Sequence, residues 1–178
     1  AGKTEELIRR IKKLEYAKQN VLVFKPKIDT RYALEEIVSH NLSKKPSIII
    51  DKSIEIIDYI KPHIDAVVID EVQFFDEDII QITEDLADKG IRVIVGGLDR
   101  DFRGEPFGPM PELLARAEFV TKLTAICVKS GLPATRTQRI IDGKPAHYTD
   151  PTILVGANES YEPRSRHYHE VPGKPTTR

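Results

Sequence analysis

The order of apolar and polar positions over the first 120 residues predicts helices alternating with buried strands. Four apolar residues at helical spacing predict a helix over 5–19: Leu7, Ile8, Ile11 and Leu14. Short apolar runs bounded by polar or turn residues are typical of strands that are buried on both faces. Such runs lie at 21–24, 47–50, 66–69 and 91–95.

Three further helices are indicated by their boundaries as well as by their periodicity. Ser53 is the predicted N-cap of a helix that ends near Pro62. A helical pattern over 76–89 stops at Gly90, and a shorter one covers 111–117. The alternation of strands and helices predicts an α/β fold with a parallel sheet that has helices on both faces.

The pattern changes after Thr121, where helical periodicity ends and turn-forming residues become frequent. Clusters of turn residues lie at 131–133, 142–145 and 148–151. We therefore predict two domains. An α/β domain covers 1–120, and a small, loop-rich β annex with a basic tail covers 121–178.

Composition narrows the class of protein. Of the 178 residues, 40% are apolar and 31% are charged, which is typical of a folded globular chain. Every apolar run is too short to cross a bilayer, and the start at Ala1 does not resemble a signal peptide. A single cysteine fits a reducing compartment, so we expect a cytoplasmic protein. The net charge of −1 favours neither nucleic acid nor a membrane as the partner.

The chain opens on Ala1-Gly2-Lys3-Thr4 ahead of a predicted helix. This is the second half of the phosphate-binding motif G-x-x-x-x-G-K-[ST]. In that motif the glycine admits phosphate close to the backbone, the lysine reaches the β/γ-phosphates, and the Thr hydroxyl ligates Mg²⁺. Taken alone, these residues fit an exposed helix start equally well. The motif's first half and its strand do not precede Ala1. If the protein begins at Ala1, we expect weak or absent ATP binding, but the simpler explanation is that this sequence is part of a longer protein.

Adjacent carboxylates follow the apolar run at 66–69, in the form of a Walker B element. Asp70 and Glu71 come at the carboxyl end of this predicted strand, which is where ligands bind in open α/β sheets. An acid in this place binds Mg²⁺ directly or through water. Aspartate is also a common turn former, but its combination with Gly2-Lys3-Thr4 favours a P-loop nucleotide site.

Aromatic side chains lie on predicted loops after the strand ends. Phe74, Phe102 and Phe107 suit a flat, partly apolar ligand such as a nucleobase. Gln73 offers a donor and an acceptor, as needed to read the amide edge of a pyrimidine. The alternative is that these phenylalanines close the rim of the core.

Four long motifs of the chain are specific enough to indicate a protein family. The runs FKPKIDTRY (24–32), DEVQFF (70–75), GLDRDFRGEPFGP (97–109) and PATRTQR (133–139) resemble those of the cytosolic-type, or type II, thymidine kinases. The wording of the motifs is similar to that of bacterial members. The resemblance implies a P-loop domain with a zinc-ribbon-like annex. It implies transfer of the ATP γ-phosphoryl to the 5′-hydroxyl of thymidine with Mg²⁺, a homotetramer, and inhibition by dTTP.

The resemblance also implies site residues. Glu71 matches the general base that takes the 5′-hydroxyl proton, and Thr4 and Asp70 match the Mg²⁺ ligands. The implied nucleotide-binding set is Gly2, Lys3, Thr4, Asp70, Gln73, Asp29 and Arg31. The implied thymidine-binding set is Phe74, Leu98, Phe102, Phe107, Thr137, Thr152, Ile153, Leu154, Val155, Gly156 and Tyr161. Within it, residues 152–156 and Tyr161 match a lasso loop that reads the base through its main chain.

The chain departs from this family at the positions of its structural zinc. Where the family has two pairs of thiolate or imidazole ligands, this chain has Cys127 with Ser130 and Ser165 with Tyr168. Serine and tyrosine are poor Zn²⁺ ligands, so we predict that a conventional zinc site is absent. The annex then depends on packing or on a neighbouring subunit.

Two other classes of function remain open at this level. One is a P-loop ATPase or switch protein, although such a protein needs no base pocket. The other is a catalytically impaired homologue that acts as a binding or assembly subunit, which the lost zinc ligands and the incomplete phosphate loop keep possible.

Overall fold

The computed structural model describes residues 1–27, 46–153 and 159–176. In these ranges the α-helices are α1 (Lys3–Tyr16), α2 (Ile56–Tyr59), α3 (Asp78–Asp88) and α4 (Met110–Arg116). The strands are β1 (Val21–Pro26), β2 (Ile48–Ile50), β3 (Ala66–Ile69), β4 (Arg92–Val95), β5 (Ala125–Ile126), β6 (Pro133–Ala134), β7 (Arg136–Ile141), β8 (Lys144–Pro145) and β9 (Glu159–Arg164). Short 3₁₀ turns cover Ser53–Glu55, Val72–Phe74 and Arg166–Tyr168.

The described residues fall into two compact units. The sheet unit comprises 2–99 and 108–120, and the annex unit comprises Ala1, 100–107 and 121–178. The segment 100–107, which the sequence places in the first domain, is therefore part of the annex unit. Its contacts with the annex are long-range in sequence, so periodicity along the chain does not reveal them.

A parallel sheet forms the centre of the sheet unit. Among the described residues its strand order is β2-β1-β3-β4, and every neighbouring pair is parallel. β3 lies inside this sheet, and all four of its residues are buried. The predicted α/β class with a parallel sheet is confirmed.

The two faces of the sheet bury alternate residues of β3. Val67 and Ile69 belong to one apolar cluster, together with residues of α2, α3 and α4. Ala66 and Val68 belong to a second cluster, to which α1 contributes Leu7, Ile11 and Leu14. Because successive strand residues point to opposite faces, an unbroken apolar run is what a sheet covered on both sides requires.

The helix predicted after Ser53 is shorter and is capped differently. Ser53 is not the N-cap, since Lys52 occupies that position of the first 3₁₀ turn. The Glu55 carboxylate accepts hydrogen bonds from the backbone N–H groups of Asp51 and Lys52, at 3.0 and 2.7 Å. Glu55 is the third residue of the turn, and its carboxylate bonds back to the N-cap backbone, as the glutamate of a capping box does.

Gly90 ends α3 as predicted. Its φ is +81°, and its N–H donates to the carbonyl of Ala87 at 2.8 Å. Glycine reaches this left-handed conformation without the steric cost that other residues carry.

The annex unit is built of short antiparallel strands. β7 pairs with β8 and with β9, and β5 pairs with β6. The N–H of Val128, in the turn after β5, donates to the carbonyl of Pro163 on β9 at 3.2 Å. Across the described residues, none of the helices combines the length and apolar character that crossing a bilayer requires.

Candidate active site

The start of α1 and the end of β3 meet at the carboxyl edge of the sheet. Lys3 Nζ lies 2.7 Å from Asp70 Oδ1 and 2.5 Å from Glu71 Oε1. Lys25 Nζ lies 3.7 Å from the second oxygen of Asp70. The fold thus brings together the two motifs that the sequence singled out, 67 residues apart along the chain.

The backbone at both motifs adopts the left-handed region. Gly2, the N-cap of α1, has a φ of 73°, which glycine adopts at little cost. Glu71 has a φ of 51°, and for a residue with a Cβ this conformation costs on the order of 1–2 kcal/mol. Its backbone N–H donates to Asp70 Oδ1 at 2.9 Å, which helps to hold the turn. A strained glutamate at a strand end is the kind of outlier that clusters at functional sites.

The charges of this cluster perturb Lys3. Burial alone lowers the pKa of Lys3, but the negative charges and hydrogen bonds of Glu71 and Asp70 outweigh burial and raise it above its ordinary value. Lys3 is therefore fully charged at neutral pH. The Asp70 side chain is only 3% exposed and faces cations on both of its oxygens.

Gln73 contacts the side chain of Glu71 and the backbone of Leu98. Its carboxamide lies buried behind Glu71, with Nε2 donating to Glu71 Oε2 at 2.5 Å and Oε1 accepting from the Leu98 N–H at 3.1 Å. The residue is 3% exposed. The predicted contact of Gln73 with a pyrimidine or a nucleotide stays a prediction. Spacing along the chain could not reveal this arrangement, because Leu98, whose N–H donates to the side-chain oxygen of Gln73, lies 25 positions away.

The other candidates of the sheet unit flank this network. Phe74 is half-buried in the 3₁₀ turn that follows Glu71, and Leu98 is 39% exposed after β4. The Leu98 backbone is tied through Gln73 to Glu71. Thr4 lies half-buried on the first turn of α1, next to Lys3.

In the annex unit, Phe102 lies against two arginines. Its ring centroid is 5.2 Å from the guanidinium carbon of Arg139 and 5.2 Å from that of Arg103. Phe102 is 5% exposed, so the rim-of-core alternative describes it well. Phe107 and Thr137 are half-buried in the same unit.

Arg139 also joins the two ends of the predicted lasso loop. Nη1 donates to the carbonyl of Pro151 at 2.6 Å, and Nε donates to Glu159 Oε2 at 2.8 Å. Thr152, half-buried, and Ile153, exposed, follow Pro151. The Tyr161 hydroxyl, on β9, donates to Glu159 Oε2 at 3.3 Å. The predicted residues Leu154, Val155 and Gly156, like Asp29 and Arg31, lie outside the described residues.

Sequence reasoning missed Arg139, and no local signal indicates it. A charged residue in a short strand is normally read as facing solvent. Here both Gln138 and Arg139 are buried, because β7 lies between β8 and β9 and is also covered by Phe102.

The four positions of the family's zinc site come together only in part. Cys127 and Ser165 are buried, whereas Tyr168 is 46% exposed. Burial raises the pKa of Cys127, but hydrogen bonds from the Ser130 hydroxyl and from the backbone of Ser165, Lys129 and Ser130 outweigh it and lower the pKa to about 6. One thiolate with hydroxyl neighbours does not match the thiolate and imidazole ligands of structural zinc. Within the described ranges, no set of three His, Cys, Asp or Glu side chains is arranged to hold a metal ion. That the chain binds no zinc stays a prediction.

Magnesium makes a different demand on the protein. Mg²⁺ is usually held by one or two carboxylates, substrate phosphates and water. Asp70 fits this pattern, because its buried carboxylate already faces two ammonium groups, those of Lys3 and Lys25. A divalent cation bound to the phosphates of a nucleotide would be attracted by the same Asp70 carboxylate.

The comparison with known proteins agrees with this geometry. A family model described as thymidine kinase matches residues 1–169 of the chain. The match spans both units and includes the cluster of Lys3, Asp70 and Glu71. The chain belongs to the thymidine kinase family.

Proposed function

We propose that this chain phosphorylates thymidine, transferring the γ-phosphoryl group of ATP to the 5′-hydroxyl and giving dTMP and ADP. The observation that carries this proposal is the convergence of Lys3 Nζ on Asp70 and Glu71 at 2.7 and 2.5 Å. A phosphate-loop lysine, a metal-binding acid and a candidate base are the groups that this reaction needs within reach of each other. The family match supports the same conclusion.

Lys3 serves as the phosphate-binding cation. Its ammonium group lies against the carboxylates of Asp70 and Glu71 and neutralises part of their charge. We expect the β- and γ-phosphates to draw it away, since they carry more negative charge than the two carboxylates. Its departure leaves Asp70 free to ligate Mg²⁺ and Glu71 free to accept a proton. Gly2, at the N-cap of α1, lets the amides of the first turn approach the phosphates.

Glu71 acts as the general base. The 5′-oxygen of thymidine attacks the γ-phosphorus, the bond from that phosphorus to the β,γ-bridging oxygen breaks, and ADP leaves with the electron pair. The proton of the 5′-hydroxyl passes to the Glu71 carboxylate. Most of the rate acceleration in such transfers comes from positioning and charge neutralisation, and a carboxylate at hydrogen-bond distance accepts the proton late in the reaction.

Thr4 and Asp70 are the proposed Mg²⁺ ligands of the chain. When bound, this ion would neutralise the charge that develops on the phosphoryl oxygens. Asp29 and Arg31 complete the proposed nucleotide contacts on the strength of the resemblance alone.

The base pocket is proposed on the strength of the resemblance. Its proposed side chains are Phe74, Leu98, Phe102, Phe107 and Thr137. Thr152 and Ile153, with residues 154–156 and Tyr161, are proposed to close it through main-chain groups. Inhibition by dTTP and assembly into a homotetramer are further predictions of the resemblance.

The test is thymidine phosphorylation with ATP and Mg²⁺, measured on this chain and on a version with a complete phosphate loop placed ahead of Ala1. Glu71→Gln should lower turnover by about 100-fold or more while ATP binding changes little. Glu77→Gln, the same substitution at an exposed position before α3, is the matched control and should leave turnover unchanged.

Each outcome is informative. Turnover that Glu71→Gln removes and Glu77→Gln spares supports the proposal. Turnover only in the extended version locates the deficit in the phosphate loop. An extended version that binds ATP but phosphorylates no nucleoside would overturn the proposal and favour a binding or assembly subunit.

A further inference from the structure

We propose that Gln73 is a positioning residue for Glu71, which holds one carboxylate oxygen of the base so that the other faces the substrate hydroxyl. This inference rests on the proposed function, in which Glu71 is the base. It assigns Gln73 no contact with thymidine or with ATP.

The orientation of the Gln73 carboxamide is set by the backbone. Oε1 accepts from the Leu98 N–H at 3.1 Å, and a backbone N–H can only donate. The amide oxygen must therefore point to Leu98, and the NH₂ group must point to Glu71. Nε2 lies 2.5 Å from Glu71 Oε2, where it donates to the carboxylate.

Two glycines lie close against Gln73. A Cβ placed on Gly97 would lie 2.6 Å from Gln73 Oε1 and 2.9 Å from Val72 Cγ1, which is closer than side chains pack. A Cβ on Gly108 would strike the Gln73 carbonyl oxygen. Gly97 thus leaves room for the Gln73 carboxamide, and Gly108 leaves room for the Gln73 backbone. A buried amide held at both ends is suited to fix the position of its neighbour.

Glu71 has one oxygen for each partner. Oε1 faces Lys3, and Oε2 faces Gln73. In the proposed reaction Lys3 moves to the phosphates. Among the described residues, Gln73 is then the side chain that still holds a hydrogen bond to Glu71. Gln73 is neutral and donates, so it does not compete for the proton. Oε1, released by Lys3, is left to receive it.

The experiment is a double-mutant cycle with Gln73→Met, which keeps the length of the side chain and removes the donor. In the parent chain with a complete phosphate loop, Gln73→Met should lower kcat about 10-fold or more and change KM for thymidine and ATP by less than about threefold. In a Glu71→Gln background the same substitution should change the residual kcat by less than about twofold, because Gln73 acts through Glu71.

Thr83→Val is the matched control. Thr83 is another buried polar residue of the sheet unit, and its hydroxyl donates to the Ile80 carbonyl at 2.8 Å, away from Glu71. It should lower the melting temperature without lowering kcat. If Gln73→Met does not fold, Gly97→Ala replaces it in the cycle, since the added methyl group displaces the same carboxamide.

Three results would overturn the inference: an unchanged kcat, an equal loss in the presence and absence of Glu71, or a loss confined to KM for thymidine. A loss confined to KM for thymidine would favour the alternative in which Gln73 contacts the base. A crystal structure of Gln73→Met tests the geometry apart from turnover, so a chain without kinase activity still decides the point. We expect the Glu71 carboxylate to leave its position there, and a carboxylate that stays in place would contradict the proposal.

Discussion

The guanidinium group of Arg139 is fully buried and paired with Glu159. Nε donates to Glu159 Oε2 at 2.8 Å, and Nη2 lies 2.7 Å from the same oxygen. The Arg139 side chain is 0% exposed, and that of Glu159 is 11% exposed. With the Pro151 carbonyl and the Phe102 ring as further neighbours, one arginine connects the ends of the predicted lasso loop to the segment 100–107.

Removing this arginine should destabilise the annex unit strongly. Arg139→Met leaves Glu159 without its cation and the Pro151 carbonyl without its donor, and breaking such a buried pair costs about 3–5 kcal/mol. The measurement is urea unfolding followed by a signal from the annex. Arg116→Met, which removes an exposed pair with Glu112, should cost about 1 kcal/mol or less. Equal losses from the two variants would contradict the inferred role of burial.

Lys3 should be more important for turnover than for folding. Lys3→Met removes the proposed phosphate-binding cation, and loss of one such electrostatic group lowers turnover by roughly 100-fold or more. We expect weaker ATP binding as well, measured by calorimetry with a non-hydrolysable analogue. Lys12→Met, on an exposed position of the same helix, is the control and should behave like the parent. Normal ATP affinity in Lys3→Met would contradict the proposed role of Lys3 in binding phosphate.

The stability of the protein should fall on mild acidification because of His169. Its Nε2–H donates to the Phe102 carbonyl at 2.8 Å. Burial, and then the positive charges of Arg136 and Lys174, lower the pKa of His169 below its ordinary value of 6.5, although the Phe102 carbonyl opposes this. The unfolded chain therefore binds more protons in this window, and the free energy of unfolding falls as the pH decreases through 6.5 toward the folded pKa.

Comparing urea unfolding at about pH 7.5 and about pH 5.5 tests this dependence. His169→Gln keeps a donor for Phe102 but does not titrate, so it should reduce the loss of stability between the two pH values. His63→Gln, at an exposed position, should not. A loss of stability that is the same in His169→Gln and in the parent would show that other groups cause it.

The annex should be indifferent to metal. We expect the melting temperature of the parent to be the same with and without a strong chelator, because Cys127 is accompanied by hydroxyl groups rather than by thiolates. The variant with Ser130→Cys, Ser165→Cys and Tyr168→Cys restores four thiolates and should be stabilised by added Zn²⁺. Bound zinc near one per chain in the purified parent would contradict this prediction.

The parallel sheet and the charged cluster could largely be predicted from the chain. Apolar runs such as 66–69 and the helical spacing of Leu7, Ile11 and Leu14 depend on short-range periodicity, which the sequence displays directly. The pairing of Lys3 with Asp70 follows from a general rule, because helix starts and strand ends of a parallel sheet share one edge.

The hydrogen-bond partners of Gln73 and Arg139 were decided by the tertiary structure. An amide side chain can donate or accept in either orientation. In the fold, the side-chain oxygen of Gln73 accepts from the Leu98 N–H, so its NH₂ group faces Glu71. In the sequence, Arg139 looks like an arginine that faces solvent from a strand. In the fold, β9 and Phe102 cover it. Both outcomes depend on partners 20 or more positions away, which only chain folding brings within hydrogen-bond distance. Local pattern therefore determined the elements and the charged motifs, while long-range packing determined the partners of these two buried polar side chains.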